Sequence, residues 1–244
     1  MKIKIYSQLS IDADSIYKTL PYADVSGPVQ RGQVLRDIAD GYNVIAIIDG
    51  QFEQNLAVTP SEVMDALRSG VRVYGSSSMG AMRAAECENY GATGFGKIFD
   101  FIKDSPTFRD DYLGQLFISR NAGWQTKTYM DFYFAAQDLV TKKKISKKTA
   151  LTLCELYENL FYAERSEAAL TQSIQNLKKG SASLSEAAQL IFSEAKNQKT
   201  KDAEGLLLLI KKDLEDVQNI NAKIVSGAQA SPDPLSFYPR DLYT

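Results

Sequence analysis

Three consecutive serines, Ser76, Ser77 and Ser78, stand between Gly75 and Gly80. A β-rich run ends just before them and a helical pattern starts at Met79, which places Ser78 in a sharp strand-to-helix turn of the small-x-Ser-x-small kind. Such a turn has three readings. It is a plain capped turn, an anion-binding loop whose helix-start N–H groups hold a carboxylate or phosphate, or a nucleophile elbow. In the last, the Ser78 hydroxyl is exposed and the same amides face an oxyanion. Arg83 follows one turn along and Glu86 one turn further on nearly the same face, so the arginine could anchor an anion; its bland reading is a surface cation.

The chain contains no histidine. That removes the usual base for a serine or cysteine nucleophile and the commonest transition-metal ligand. Catalysis here must use carboxylates, lysine, arginine, backbone amides or a partner's groups. Asp49, at the end of the apolar run Asn43–Ile48, is a base, an orienter, or a turn residue before Gly50. The stretch Gly91-Ala-Thr-Gly-Phe-Gly96 follows a helix and reads as a flexible turn, not as a dinucleotide fingerprint. Cys87 and Cys154 are the only thiols and lie in separate helical patterns, so neither a disulfide framework nor a four-ligand zinc site is expected. No metal or cofactor is called for.

The elements that must position these residues alternate. Strands are expected at Lys2–Tyr6, near Tyr22–Val25, at Asn43–Ile48 and at Val71–Tyr74, with crossover helices between them, the order of a mostly parallel sheet. The helix over 60–69 is the best marked: Thr59 caps it, Pro60 opens it, Glu62 completes a capping box and Gly70 stops it. Further helices are expected over 79–89 and 97–104. Ligands of an open parallel sheet bind outside the carboxyl ends of its strands. Those exits carry Ser7 and Gln8, the run Ser26–Gly32 with Arg31, then Asp49 and Gly50, and Gly75–Gly80, and they should meet in one cleft.

From Gln125 onward the pattern is helical, with helices expected over 126–141, 147–162, 165–178, 183–197 and 201–218. The stripe Leu151, Cys154, Leu156, Tyr157, Leu160, Phe161 reads as core packing. The fold class is therefore α/β: a parallel Rossmann-like sheet domain over 1–122 and an all-helical C-terminal region over 123–244. Beyond Ser226, Pro232, Pro234 and Pro239 suggest an extended tail packed on a domain or a neighbouring copy, which leaves room for a homo-oligomer.

With 28 basic against 30 acidic residues, the net charge of -2 gives no footprint for nucleic acid. The first residues alternate apolar and basic and read as a strand, not a signal peptide, and no run is long enough to span a bilayer. A reducing, cytoplasmic setting is the expectation.

In order and approximate spacing, Gly27-Pro-Val-Gln-Arg-Gly32, Ile48-Asp-Gly-Gln-Phe52 and Val73-Tyr-Gly-Ser-Ser-Ser-Met-Gly-Ala-Met-Arg-Ala-Ala-Glu86, then Gly91, Gly94-Phe-Gly96 and Asp110-Asp111, resemble the TfuA-like core pattern over about residues 2–120. The resemblance implies a partner of a YcaO enzyme in forming peptide backbone thioamides, taking sulfide from a thiocarboxylated, ubiquitin-like sulfur carrier. On that footing Ser78 is the nucleophile, Arg83 anchors the thiocarboxylate or oxyanion, and Asp49 is base or orienter. Glu86 and Lys97 are the other candidate bases, unless the serine only positions substrate while water attacks. Arg31, Gly50, Ser77, Met79, Gly80, Lys97, Asp110 and Asp111 would contact substrate. A non-catalytic adaptor between carrier or peptide and the YcaO enzyme is the alternative, and a stand-alone hydrolase of small esters or phosphates a third.

Overall fold

The computed structural model describes residues 1–52, 56–115, 117–119, 123–124, 126–177, 181–194 and 197–228. Two compact units divide the chain, Met1–Leu207 and Leu208–Thr244. The first opens with five strand–helix steps: β1 (Ile3–Tyr6), α1 (Ala13–Thr19), β2 (Asp24–Ser26), α2 (Gln33–Ala39), β3 (Val44–Ile47), α3 (Pro60–Arg68), β4 (Arg72–Ser76), α4 (Met79–Cys87), β5 (Thr93–Phe95) and α5 (Lys97–Asp104). The strands make one parallel sheet in the order β2-β1-β3-β4-β5. Ala46 lies at its centre, in register with Ile5 on one side and Tyr74 on the other. Every residue of β3 is buried, as a continuous apolar run in a sheet covered on both faces requires.

The α3 helix carries both halves of its capping box, Pro60 in the first turn and Gly70 at φ 80° past its end. One strand was not expected. Thr93–Phe95 pairs with β4 through Gly75↔Gly94, so the glycine-rich stretch is an edge strand running into α5 instead of a loose turn. Glycine hid it from propensity, yet glycine is required there: a Cβ on Gly94 would sit 2.0 Å from the Phe99 ring.

A small antiparallel pair, β6 (Phe117–Ser119) and β7 (Gly123–Trp124), precedes the helices α6 (Tyr129–Thr141), α7 (Lys147–Glu158), α8 (Glu167–Gln175), α9 (Ser181–Phe192) and α10 (Gln198–Ala228). Thr128, Ser146 and Ser166 cap α6, α7 and α8 through their hydroxyls. One apolar core joins Ala81, Ala84, Ile98 and Phe99 of α4 and α5 to Phe132, Leu153, Tyr157, Ile174 and Ile191 of the later helices. The 122/123 border thus falls inside the first unit. In the α7 stripe, Cys154 and Tyr157 are core while Leu151 and Phe161 are exposed. In the second unit α10 runs on from Leu208 to Ala228, past the expected end at 218 and past Ser226. The expected extended tail, with its prolines, lies outside the described residues. No helix among the described residues is long and apolar enough to cross a membrane.

Candidate functional site

The β4–α4 turn is built from close approach. A Cβ on Gly75 would lie 2.1 Å from the Gly80 carbonyl oxygen, and one on Gly80 would lie 1.7 Å from that of Ile47. Two bare Cα positions therefore let the first turn of α4 rest directly on β3 and β4. The Gly80 N–H donates to the Ile48 carbonyl at 3.3 Å. Gly50 makes the same allowance just past β3, where a Cβ would meet the buried Met79 side chain at 2.6 Å. Met79 is thus core that fixes the turn.

Within the turn, the strained residue is Ser77, at φ 68°. The Ser78 N–H reaches back to the Ser76 carbonyl at 2.8 Å, closing a three-residue turn about Ser77 of the rare left-handed type. The Ser77 hydroxyl donates to the Lys199 carbonyl at 2.7 Å and lies 3.0 Å from the Ser76 hydroxyl. Ser78 starts α4 without a side-chain capping bond, so the helix leaves its hydroxyl uncommitted.

The expected exposure of Ser78 is overturned: the residue is 3% accessible. Against the neighbouring Ser77 lies the first turn of α10, a helix that periodicity alone starts at residue 201. Besides the Lys199 carbonyl on Ser77, the Thr200 hydroxyl donates to the Ser10 carbonyl at 2.9 Å, and the Lys199 N–H donates to Asp131 Oδ1 at 3.0 Å. Asp131 is itself held by the Thr128 hydroxyl at 2.8 Å. Ser7, Ser10, Asp49, the three serines, Thr128, Asp131, Gln198 and Lys199 are all buried. This concentration of buried polar groups at the strand exits is what marks the place, since interiors ordinarily admit them only when each is bonded or used.

Asp49 is saturated. Its Oδ2 accepts the N–H groups of Gln8, Leu9 and Ser10 at 3.0, 2.7 and 2.8 Å and the Ser7 hydroxyl at 3.2 Å, while Oδ1 accepts the Ser10 hydroxyl at 2.6 Å. Three converging amides form an anion nest, and the chain's own carboxylate fills it. Of its two expected roles this arrangement supports the orienter, because the lone pairs a base would use are taken.

Arg83 and Glu86 bind each other at 2.6 Å, and Arg83 Nε donates to the Val58 carbonyl at 2.7 Å, so both serve the α3–α4 packing. Lys97 pairs with Asp138 at 3.5 Å. Arg31 is exposed, and its backbone N–H donates to the Leu56 carbonyl; Gly32 N–H donates to Glu62 Oε2 at 2.6 Å, tying that loop to α3. Asp110 is exposed. Asp111 lies between Arg109 and the fully buried Arg165, at 2.8 and 2.6 Å. Burial alone would raise its carboxyl, but the bonds from Arg109 and Arg165 prevail and hold it below the ordinary range. Strand exits and α4 thus bring Asp49, Gly50, Ser77, Ser78, Met79 and Gly80 together, whereas Arg83, Glu86, Lys97, Asp110 and Asp111 are engaged elsewhere or face solvent.

Beside the α10 turn an open cavity of about 500 Å³ is lined by Gly94–Lys97, Asp100, Gln198, Lys201 and Asp202. Asp202 accepts the N–H groups of Lys97 and Ile98 at 3.2 and 2.9 Å, capping α5 from a distant part of the sequence. Desolvation pushes its carboxyl up, against the pull of those amides. Gln198 Nε2 donates to Asp202 Oδ1 at 2.7 Å, and its Oε1 is buried with no partner among the described residues. Among the described residues no cluster of His, Cys, Asp or Glu is arranged to hold a metal. Sequence reasoning missed Thr128, Asp131, Gln198 and Lys199. Only Thr128 carried a legible signal, as a cap with an acidic residue three positions on.

No curated protein matches the chain. The family model described as TfuA-like protein matches residues 49–166. The match starts later than the resemblance seen in the motifs and runs further, taking in Asp49, the serines, Arg83, Glu86, Asp111 and Arg165, and leaving out both the Arg31 loop and the α10 turn. Over residues 49–166 the chain is thus similar to the TfuA-like family, which is associated with YcaO enzymes.

Proposed function

We propose that the protein is the sulfur-delivery partner of a YcaO enzyme in peptide backbone thioamide formation, hydrolysing a thiocarboxylated, ubiquitin-like carrier to release sulfide. The observation that carries this reading is the strained β4–α4 turn, which sets a serine whose hydroxyl makes no capping bond at the start of a helix inside a buried polar cluster. Attack by Ser78 Oγ on the thiocarboxylate carbon would form an acyl-serine as the carbon–sulfur bond breaks and sulfide leaves. Water would then hydrolyse the ester, returning the serine and a carboxylate. The Met79 N–H opens α4 and is the amide best sited for the oxyanion, because those of Gly80 and Ala81 already donate to Ile48 and Ser78. Asp49 acts here as the residue that holds the Ser7–Ser10 loop beside the turn.

One observation favours the alternative, a non-catalytic adaptor: Ser78 is buried. The test is sulfide release from a thiocarboxylated carrier in the presence of the YcaO enzyme. The hydrolase reading expects Ser78→Ala to lower release by at least about 100-fold with the fold intact. Release by Ser78→Ala at the wild-type rate would leave the adaptor.

A further inference from the structure

The chain has no histidine, and the three bases the sequence offered are all engaged. One buried titratable group in the cluster is unused. Lys199 is 4% exposed, and its backbone is fixed at both ends, N–H to Asp131 Oδ1 and C=O from the Ser77 hydroxyl. Among the described residues its Nζ makes a single long contact, 3.5 Å to Gln115 Oε1, and meets no carboxylate. Lysines buried for structure ordinarily have a carboxylate to meet, since an isolated ammonium loses its hydration without return. The four-carbon stem is the flexible kind that catalytic lysines use to reach a nucleophile from a neighbouring element.

Resting on the hydrolase reading above, we infer that Lys199 is the base of the serine site. Nζ takes the Ser78 Oγ proton as Oγ bonds to the carbonyl carbon. The pair of electrons in the breaking carbon–sulfur bond leaves with sulfur, which takes the proton from Nζ and departs as hydrosulfide, so that Nζ is an amine again. In the second half the same amine takes a proton from water as water attacks the acyl-serine, and gives one back to Ser78 Oγ as the ester breaks. The Ser77–Lys199 and Asp131–Lys199 bonds place the stem, and Gln115 parks the amine between turnovers.

The experiment measures the rate at which a fluorophosphonate labels Ser78, located by peptide mass spectrometry, so that no carrier or partner is needed. Lys199→Met replaces the amine at nearly constant volume and should fold; Lys199→Arg keeps a long basic side chain but has no amine to serve as base. Both should label at least about 100-fold more slowly than wild type, Lys142→Met on the surface should label normally, and added methylamine should restore labelling to Lys199→Ala. A structural role would let Lys199→Arg label at the wild-type rate and would give no rescue, and either result overturns the assignment while leaving Ser78 in place. Wild-type protein that never labels at Ser78 would overturn the nucleophile itself, and the base with it.

Discussion

The Ser77 hydroxyl donates to the backbone carbonyl of Lys199 at 2.7 Å, across 122 positions of sequence. The tightest bend of the sheet and the first turn of the last helix are thereby joined at a point where both are buried. Ser77→Ala leaves that carbonyl without its donor, at a cost of about 1–3 kcal/mol in urea unfolding. Ser78→Ala deletes a hydroxyl that the helix does not use, and its midpoint should stay within about 0.5 kcal/mol of wild type.

Asp49 holds a loop together by itself. Asp49→Ala takes the acceptor from three converging amides, that of Ser10 buried, and from the Ser10 hydroxyl, at about 3 kcal/mol or more, whereas Asp49→Asn keeps an acceptor oxygen and should lose less. Hydrogen exchange at residues 8–10 is the local check: their amides should lose protection in Asp49→Ala before the core strands do.

Gly80→Ala is expected to fail outright. Its added carbon would meet the Ile47 backbone, which cannot step aside without moving the central strand, so the loss is about 3 kcal/mol or more. Gly32→Ala offers the contrast: space is open there but φ is 81°, and a loss of about 1 kcal/mol should appear as a modest drop in Tm.

Acid should loosen the helical half through Asp111. Its carboxyl is held below the ordinary range, so the stability it contributes is complete above about pH 4 and drains as the pH falls through the lower folded-state value. Asp111→Ala leaves the Arg165 guanidinium buried without its carboxylate, a loss of about 3–5 kcal/mol at neutral pH. The variant's unfolding free energy should also respond less to pH between about 2 and 5 than that of wild type.

The strand exits were readable because each signal was local: an apolar run ending in Asp49-Gly50, a serine triplet between glycines, a capping box at Thr59 and Glu62. What escaped depended on distant contacts. Thr93–Phe95 is a strand because Gly75 and Phe99 stand beside it, which its own composition does not say. Lys199 lies in a stretch of polar and charged residues whose period is invisible until Asp131 and Ser77 bind it. Arg83, Glu86 and Lys97 had the right types near the right place, but each is paired with a neighbour away from the serines.

The cap on α5 comes from Asp202, more than a hundred positions downstream of the amides it satisfies. A chain ended before residue 198 would keep all five parallel strands, yet it would bare those amides and uncover the serines together. A fragment of the sheet half is therefore expected to need the opening turn of the last helix if those amides are to stay bonded and the serines buried.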